Sequence, residues 1–526
     1  MEAENNKGYM MNQIGVDKMD KLSIGWAEEN ITPNGKVSLV GQFAERISEY
    51  VEKPLCATAM AVQCGSEQAI FCSVDLINVS WMLIDSVLEK VSKLSDEIDT
   101  NKVIISAIHT HTGPGYSGRG VNAAAKITND TVGATSASTR LLLEKYLPKG
   151  KKYVKATKIE GNRDVLTDEQ VSNVLIEKIS KCIVDAWNRR QKAGFSNAFG
   201  RAAVGMCRRA TYTDGSAKMW GDTNRAVFEA IEGGSDTGIE LMYVFDENKK
   251  LTGIVANLAC PAQCVQHRLF VSPDFWGEAK KLLREHFGED IFLLTLCSAA
   301  GDQCPVDLVR WVEPESDVND PNIERLHPLK RKADPSMFDL AGMKKVGRRV
   351  AAEIIGVYND GLGQMQTEVE FEHRVVKMEL PLRRATLADE NNAVREIRDY
   401  LNRKDGDVDF NDAAKLQVHL GILKRIELQD VVNTIPINCH ILKLGSVAIA
   451  TNPFELFLDY GNKIKARSHA EQTFLIQLAD GSEGYLPTEK AEEGGHYSAF
   501  ISSGSVGHIG GDMLVSQTLK NINEMF

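Results

Sequence analysis

Trp81-Met82-Leu83-Ile84-Asp85-Ser86-Val87-Leu88-Glu89-Lys90-Val91-Ser92-Lys93-Leu94 precedes Lys102-Val103-Ile104-Ile105-Ser106-Ala107-Ile108, which runs into His109-Thr110-His111-Thr112-Gly113-Pro114-Gly115. Leu83, Ile84, Val87, Leu88, Val91 and Leu94 recur at helical spacing, so 81–94 reads as a helix. The β-branched run over 102–108 reads as a buried strand. A helix feeding a buried strand is half of a crossover, the unit of α/β architecture. Gly113-Pro114-Gly115 then turns the chain sharply and leaves both imidazoles at the strand end. On an extended chain residues two apart share a face, so His109 and His111 are expected to point the same way.

The alternation continues outward in both directions. Strands are expected over 55–63 and 69–76, around Cys64-Gly65-Ser66-Glu67, and a long amphipathic helix over 167–191. A hairpin follows over 239–245 and 251–258, then a helix over 274–287 and a strand over 291–296. Helices are expected over 338–358 and 512–523, with strands over 437–442, 447–451 and 473–478, and a helix over 454–468 between the last two. A helical hairpin reads over 387–431, turning at 404–406. The expected fold is α/β, with a mixed central sheet, long loop insertions and no internal repeat. One large domain over 22–526, behind a polar lead over 1–21, is favoured over the roughly three domains that length alone allows. The pattern-poor segments 116–163 and 305–337 read as rims or lids.

Of 526 residues 43% are hydrophobic and 25% charged, which excludes disorder as a whole-chain description. A balance of 61 basic against 72 acidic residues gives −11, which argues against nucleic-acid binding because no basic surplus faces the phosphates. No apolar run approaches the ~18 residues a membrane helix needs, and 1–21 has no leader-peptide pattern, so the expected compartment is the cytoplasm. The ten cysteines include no CxxC pair; Cys56, Cys64, Cys72 and Cys182 sit in apolar runs as buried hydrophobes.

Four further segments carry candidate chemistry. Ala259-Cys260-Pro261-Ala262-Gln263-Cys264-Val265-Gln266-His267 leaves a strand with zinc-competent thiol and imidazole groups, and Asp274 stands at the next helix start as an N-cap or a pocket residue. Cys297-Ser298-Ala299-Ala300-Gly301-Asp302-Gln303-Cys304-Pro305 empties a strand into small residues, then presents Asp302 and Cys304, a nucleophile if its pKa is lowered and otherwise an inert thiol. In Asn452-Pro453-Phe454-Glu455 the spacing satisfies a capping box, with Glu455 at its third helical position. Ser482-Glu483-Gly484-Tyr485-Leu486-Pro487-Thr488 is followed twelve residues on by Tyr497.

Taken in this order, the segments resemble the neutral ceramidase family, zinc-dependent amidases of N-acyl-sphingosine. Gly25-Trp26-Ala27-Glu28-Glu29-Asn30-Ile31-Thr32-Pro33, Ser73-Val74-Asp75-Leu76 and above all His109-Thr110-His111-Thr112-Gly113-Pro114-Gly115 carry the resemblance, which runs from about residue 22 onward. It implies zinc on His109, Glu455 and Tyr485, with His111 and Tyr497 at the substrate carbonyl. Cys207-Arg208-Arg209 stands where the family has Asn-Arg-Ser, making Arg208 a carbonyl- or carboxylate-binding group with Arg209 beside it in the pocket. Two positions depart from the family: Cys260 replaces a zinc histidine, with His267 as the alternative donor, and Cys304 replaces a serine. The immunoglobulin-like domain that follows the catalytic domain in true ceramidases is not expected here.

The leading expectation is a zinc-dependent hydrolase of an amide or related acyl bond in a small polar substrate other than ceramide. His111, Arg208 and Tyr497 would stabilise the oxyanion, with Asp302 and Cys304 lining the pocket or Cys304 attacking. The alternatives are a metal-free cysteine hydrolase using Cys304 with His111 or His267 as base, or a non-catalytic ligand-binding protein. The expected partner is a small molecule, with neither nucleic acid nor membrane insertion, and the hairpin over 387–431 offers a surface for a homo-oligomer as readily as a solvated helix pair.

Overall fold

The computed structural model describes residues 20–42, 45–120, 123, 139–154, 164–312, 332–334, 336–362 and 365–526. Much of the expected rims over 116–163 and 305–337, and nearly all of the lead over 1–21, lie outside these residues.

One strand plan occurs three times along the chain. The first unit holds β1 (Asp20–Asn30), β2 (Cys56–Cys64), β3 (Glu67–Val74), helix α1 (Trp81–Leu94) and β4 (Val103–Ala107), followed by α2 (Asp168–Asn188). The second holds β5 (Gln191–Arg201), β6 (Gly238–Asp246), β7 (Leu251–Leu258), α3 (Phe275–Phe287) and β8 (Phe292–Cys297), followed by α4 (Asp339–Gly356). The third holds β9 (Phe371–Pro381), an inserted helix pair α5 (Leu387–Arg403) and α6 (Phe410–Gln429), then β10 (Thr434–Leu444), β11 (Val447–Thr451), α7 (Leu458–Arg467), β12 (Gln472–Ile476) and α8 (His508–Met525). In each unit the first three strands pair antiparallel and the fourth lies parallel to the third. A parallel return needs a long crossover, and α1, α3 and α7 supply it.

The expectation of no internal repeat is therefore corrected. What repeats is topology, which needs only apolar residues at the buried strand positions and leaves their identities free. Connections of unequal length between the first and second strands, over 31–55, 202–237 and 382–433, hide the period.

The first two units share one sheet, in the order β8-β7-β6-β5-β1-β2-β3-β4, joined at Ser23↔Lys192 and Ile24↔Gln191. That sheet doubles back on itself, because Ser73 Oγ on β3 donates to the Thr295 carbonyl on β8 at 2.6 Å. Inner faces of all three units meet in one apolar core, with Met60, Phe71 and Ile104 from the first, Met242, Val255 and Leu294 from the second, and Val447, Ile449 and Phe474 from the third. The outer faces are covered separately, by α1 and α2 on the first unit, α3 and α4 on the second, and α7 and α8 on the third. On α1, Leu83, Ile84, Val87 and Val91 form the buried stripe, and Ser80 caps its N-terminus.

The chain beyond the fourth strands converges at one place. Ala107 N–H donates to Leu478 O (3.2 Å), Asp480 N–H to Ile105 O (2.9 Å) and Gln477 N–H to Cys297 O (3.0 Å). Asp480 also accepts from Ile105 N–H at 3.0 Å and faces His440 Nε2 at 3.3 Å, and burial pushes its carboxyl up to about 7.

One local expectation fails here. Residues 454–457 are not the first turn of a helix, which begins only at Leu458. Asn452 Oδ1 accepts from Phe454 N–H in a local turn, while Glu455–Leu456 pairs as a short parallel strand with Tyr485–Leu486. Long-range pairing has displaced the capping box.

Candidate active site

His109 follows β4 with a left-handed backbone (φ 67°), so the imidazole pair is not displayed by an extended strand as expected. The rings meet edge to face, 4.9 Å apart at their centroids, because the chain kinks between them. His109 Nδ1 lies 2.8 Å from the Ile77 carbonyl, beyond β3, so this nitrogen carries the proton. Nε2, on the other side of the ring, faces Glu455 Oε2, 3.3 Å away.

Glu455 reaches this place through the short strand pair with Tyr485 and through a close backbone approach. A Cβ at Gly301 would stand 2.3 Å from the Glu455 carbonyl oxygen, so only glycine fits there. Tyr485 is hydrogen-bonded to Glu455 and accepts from Arg208 Nη2 at 3.3 Å. The Tyr497 ring packs edge-on against Tyr485 at 5.6 Å, with the two hydroxyls in hydrogen-bond contact. Burial raises the Glu455 carboxyl, but His109, the Tyr485 hydroxyl and Arg208 outweigh it and hold the group below its ordinary value. Burial and the neighbouring Glu455 push Tyr485 well above the usual phenol range.

Arg208 enters from the second unit, between the short strands Met206–Cys207 and Arg209–Tyr212. Its guanidinium donates to the Gln263 amide oxygen (3.1 Å), the Gly301 carbonyl (2.9 Å) and the Tyr485 hydroxyl, all neutral acceptors. His111 is buried too; desolvation first, then His109, Arg46 and Arg208, hold its imidazole well below the ordinary range, so it is neutral. Arg46 Nη2 anchors this loop by donating to the carbonyls of Val40 (2.5 Å) and His111 (2.6 Å).

Six other expected residues make their side-chain contacts mainly with other partners. Cys260 packs in the apolar core of the second unit and donates to the carbonyls of Val204 (3.5 Å) and Pro261 (3.7 Å); burial raises its thiol well above the ordinary value. Its electrostatic neighbours are Cys297, Cys304 and Asp274, not His109 or Glu455. His267 faces Asp339 at 3.5 Å and stacks on Phe338, at the start of α4. Cys304 is buried beside Val306, Leu308 and Phe338, and burial pushes it up to about 12 against the pull of Arg208. Asp302 Oδ1 caps α7 through Leu458 N–H (3.0 Å), and Asp274 accepts from Phe275 and Val265 N–H at 2.6 and 2.9 Å; burial raises both to about 6. Arg209 forks onto Glu232 at 2.6 and 2.9 Å and donates to the Tyr497 carbonyl at 2.9 Å, so it clamps the segment bearing Tyr497 instead of lining a pocket.

No protein-family model and no curated protein matches this sequence. Solved structures do match in fold. Neutral ceramidase from Pseudomonas aeruginosa superposes with a TM-score of 0.61 over 96% of this chain and 74% of that one, at 15% identity. A ceramidase complexed with C2 gives 0.61 over 96% and 75%, at 14% identity. The chain has the neutral ceramidase fold.

On that fold, the residues at the strand ends can be tested for a metal. Among the described residues no three His, Cys, Asp or Glu side chains form a metal-holding group. The available set is smaller: His109, Glu455 and the Tyr485 hydroxyl. It nevertheless fits a cation. An imidazole nitrogen and a carboxylate oxygen 3.3 Å apart need a proton or a metal between them. An imidazole whose other nitrogen donates to a backbone carbonyl is how metal-binding histidines are usually held. Sequence reasoning assigned no role to Gln263, Arg46 or the Ile77 carbonyl: Gln263 stands in the segment 259–267 but drew less notice than its Cys and His neighbours, and each reaches the site only through tertiary packing.

Proposed function

We propose that this protein is a zinc-dependent hydrolase of an amide or related acyl bond in a small polar molecule. The observation that carries this reading is the anchored His109 imidazole facing Glu455 at 3.3 Å, beside Tyr485 and Arg208. Zinc would be held by His109, Glu455 and Tyr485, and when bound would supply Lewis-acid polarisation and a bound water of pKa near ~7. The likeness in fold to ceramidases is consistent with hydrolysis.

The chain's own groups provide the rest. Arg208 is a fixed cation, and with the Tyr497 hydroxyl it would donate to a carbonyl oxygen as that oxygen gains charge, each such donor typically worth about 3 kcal/mol. Tyr485 links Arg208 to Glu455, so the donor and the carboxylate are held in register. Arg208, His111, Tyr485 and Tyr497 would grip the acyl carbonyl, and a small polar acyl compound is the substrate class proposed. The described residues include no helix long and apolar enough to cross a membrane. Residence in the cytoplasm belongs to the same proposal.

The cysteine alternative loses support, since a thiol pushed up to about 12 is almost wholly protonated near neutral pH. The deciding experiment combines metal analysis with a panel of soluble N-acyl amides and short-chain ceramide, with and without chelator. Stoichiometric zinc and chelator-sensitive turnover of a polar amide are expected. Turnover retained in chelator by zinc-free protein would overturn the metal, and ceramide as the preferred substrate would overturn the polar class.

A further inference from the structure

Gln263 is buried on the loop beyond β7 and bridges two site residues. Its Oε1 accepts from Arg208 Nη1 at 3.1 Å, and its Nε2 lies 2.8 Å from His111 Nε2. Chemistry fixes which atom is which. A guanidinium only donates, so the amide atom facing Arg208 is the oxygen. The atom facing His111 is then the amide nitrogen, which also only donates, and His111 Nε2 must accept. An Nε2 that accepts leaves the ring proton on Nδ1, which packs against Gly41, where a Cβ would stand 2.5 Å away. The loop itself is pinned, with Ala262 N–H on Ile108 O at 3.4 Å and Gln263 N–H on Pro261 O at 2.8 Å.

We propose that Gln263 is a positioning residue: it locks His111 as the Nδ1-protonated imidazole and holds the Arg208 guanidinium beside Tyr485. In this state His111 has no N–H at Nε2 to offer an oxyanion, and that role falls to Arg208 and Tyr497. Flipping the amide would release His111 but would set an amide N–H against the Arg208 N–H. The two side chains are thereby coupled through one residue. The tautomer follows from the bonds alone; its catalytic consequence rests on the hydrolase reading above.

The two are separated by testing the tautomer without substrate. Protein labelled with 15N-histidine is compared with Gln263→Glu and Gln263→Met, and a His111→Asn spectrum assigns the signals. In the unaltered protein Nε2 of His111 is expected to be unprotonated and Nδ1 protonated. Gln263→Glu keeps the acceptor for Arg208 but turns an oxygen toward His111, so Nε2 is expected to gain a proton. With the acyl substrate, Gln263→Glu and Gln263→Met are expected to lower kcat roughly tenfold with little change in KM, the scale of losses when an orienting hydrogen bond is removed. A protonated Nε2 in the unaltered protein overturns the proposal, and that measurement stands even if both variants fail to fold. An unchanged ring in folded Gln263→Glu overturns it as well. The expected tautomer in a protein that turns over no acyl substrate upholds the positioning role and removes the hydrolase reading instead.

Discussion

Beyond their parallel strand pairs, the first and second units occupy equivalent places in one strand plan and hold opposite chemistry. After β3 and β4 the first unit offers the Ile77 carbonyl, His109 and His111, and the chain spends a left-handed residue to display them. After β7 and β8 the second offers Cys260 and Cys304, both buried, both neutral, each donating to backbone carbonyls. The third unit resembles the first, since Glu455 follows its third strand and Tyr485 its fourth. A repeated scaffold thus delivers side chains to one place, while the residue delivered and its neighbours decide which delivery becomes chemistry. The second unit contributes Arg208 and Gln263, from a loop and a turn, and otherwise serves as a wall.

The largest effects should fall on the polar ends. Glu455→Ala is expected to lose bound zinc and at least about 100-fold in hydrolysis, whereas Cys260→Ala should stay within roughly threefold on both measures. Equal losses of zinc would break the comparison by making Cys260 a ligand. Arg208→Met should lower kcat about 100-fold, the usual scale for one oxyanion donor; a change confined to KM would make it a binding group alone. Cys304→Ser should shift kcat less than about threefold, and the folded protein's Cys304 should alkylate slowly at neutral pH, as a protonated buried thiol must. Rapid, activity-abolishing alkylation at Cys304 would restore the nucleophile.

A smaller effect tests the third unit. The Asp480 carboxyl titrates near 7 in the fold and near its ordinary value in the unfolded chain, so its protonated form is favoured on folding. That contribution is present in acid and is lost as pH rises toward 7. Asp480→Asn should therefore gain stability relative to the unaltered protein between pH 5 and 8, by about 2 kcal/mol, read from denaturant midpoints. A pH-independent difference would show that Asp480 stays ionised. Smallest of all, Asp302→Ala should cost about 1 kcal/mol through loss of the α7 cap, leaving zinc content unchanged.

Helix α1 was legible because six apolar residues at helical spacing are a local fact. His109, His111, Glu455 and Tyr485 stood out as groups capable of chemistry, and the fold brings them together, but the reasons for their places were not local. Asn452-Pro453-Phe454-Glu455 has the spacing of a capping box, yet Glu455 N–H pairs with Gly484 O at 2.9 Å, a partner that sequence spacing does not reveal. Asp274 read as an N-cap or a pocket residue and is the cap, whereas Asp302 caps a helix 156 positions away, which local spacing does not reveal. Cys260 and Cys304 sat between ligand, nucleophile and core until burial and their neighbours separated them. The threefold plan left no trace in composition because strand pairing constrains alternation, not identity.

The site draws His109 from the first unit, Arg208 and Gln263 from the second, and Glu455, Tyr485 and Tyr497 from the third. An ion or substrate analogue seated there would act as a strap across the whole chain. Its binding energy would be added to global unfolding, about 2.7 kcal/mol at a hundredfold excess over Kd. During synthesis the strap cannot close until residues 455–497 have emerged and folded onto a core two-thirds assembled. Ligand capture would then report that assembly is finished.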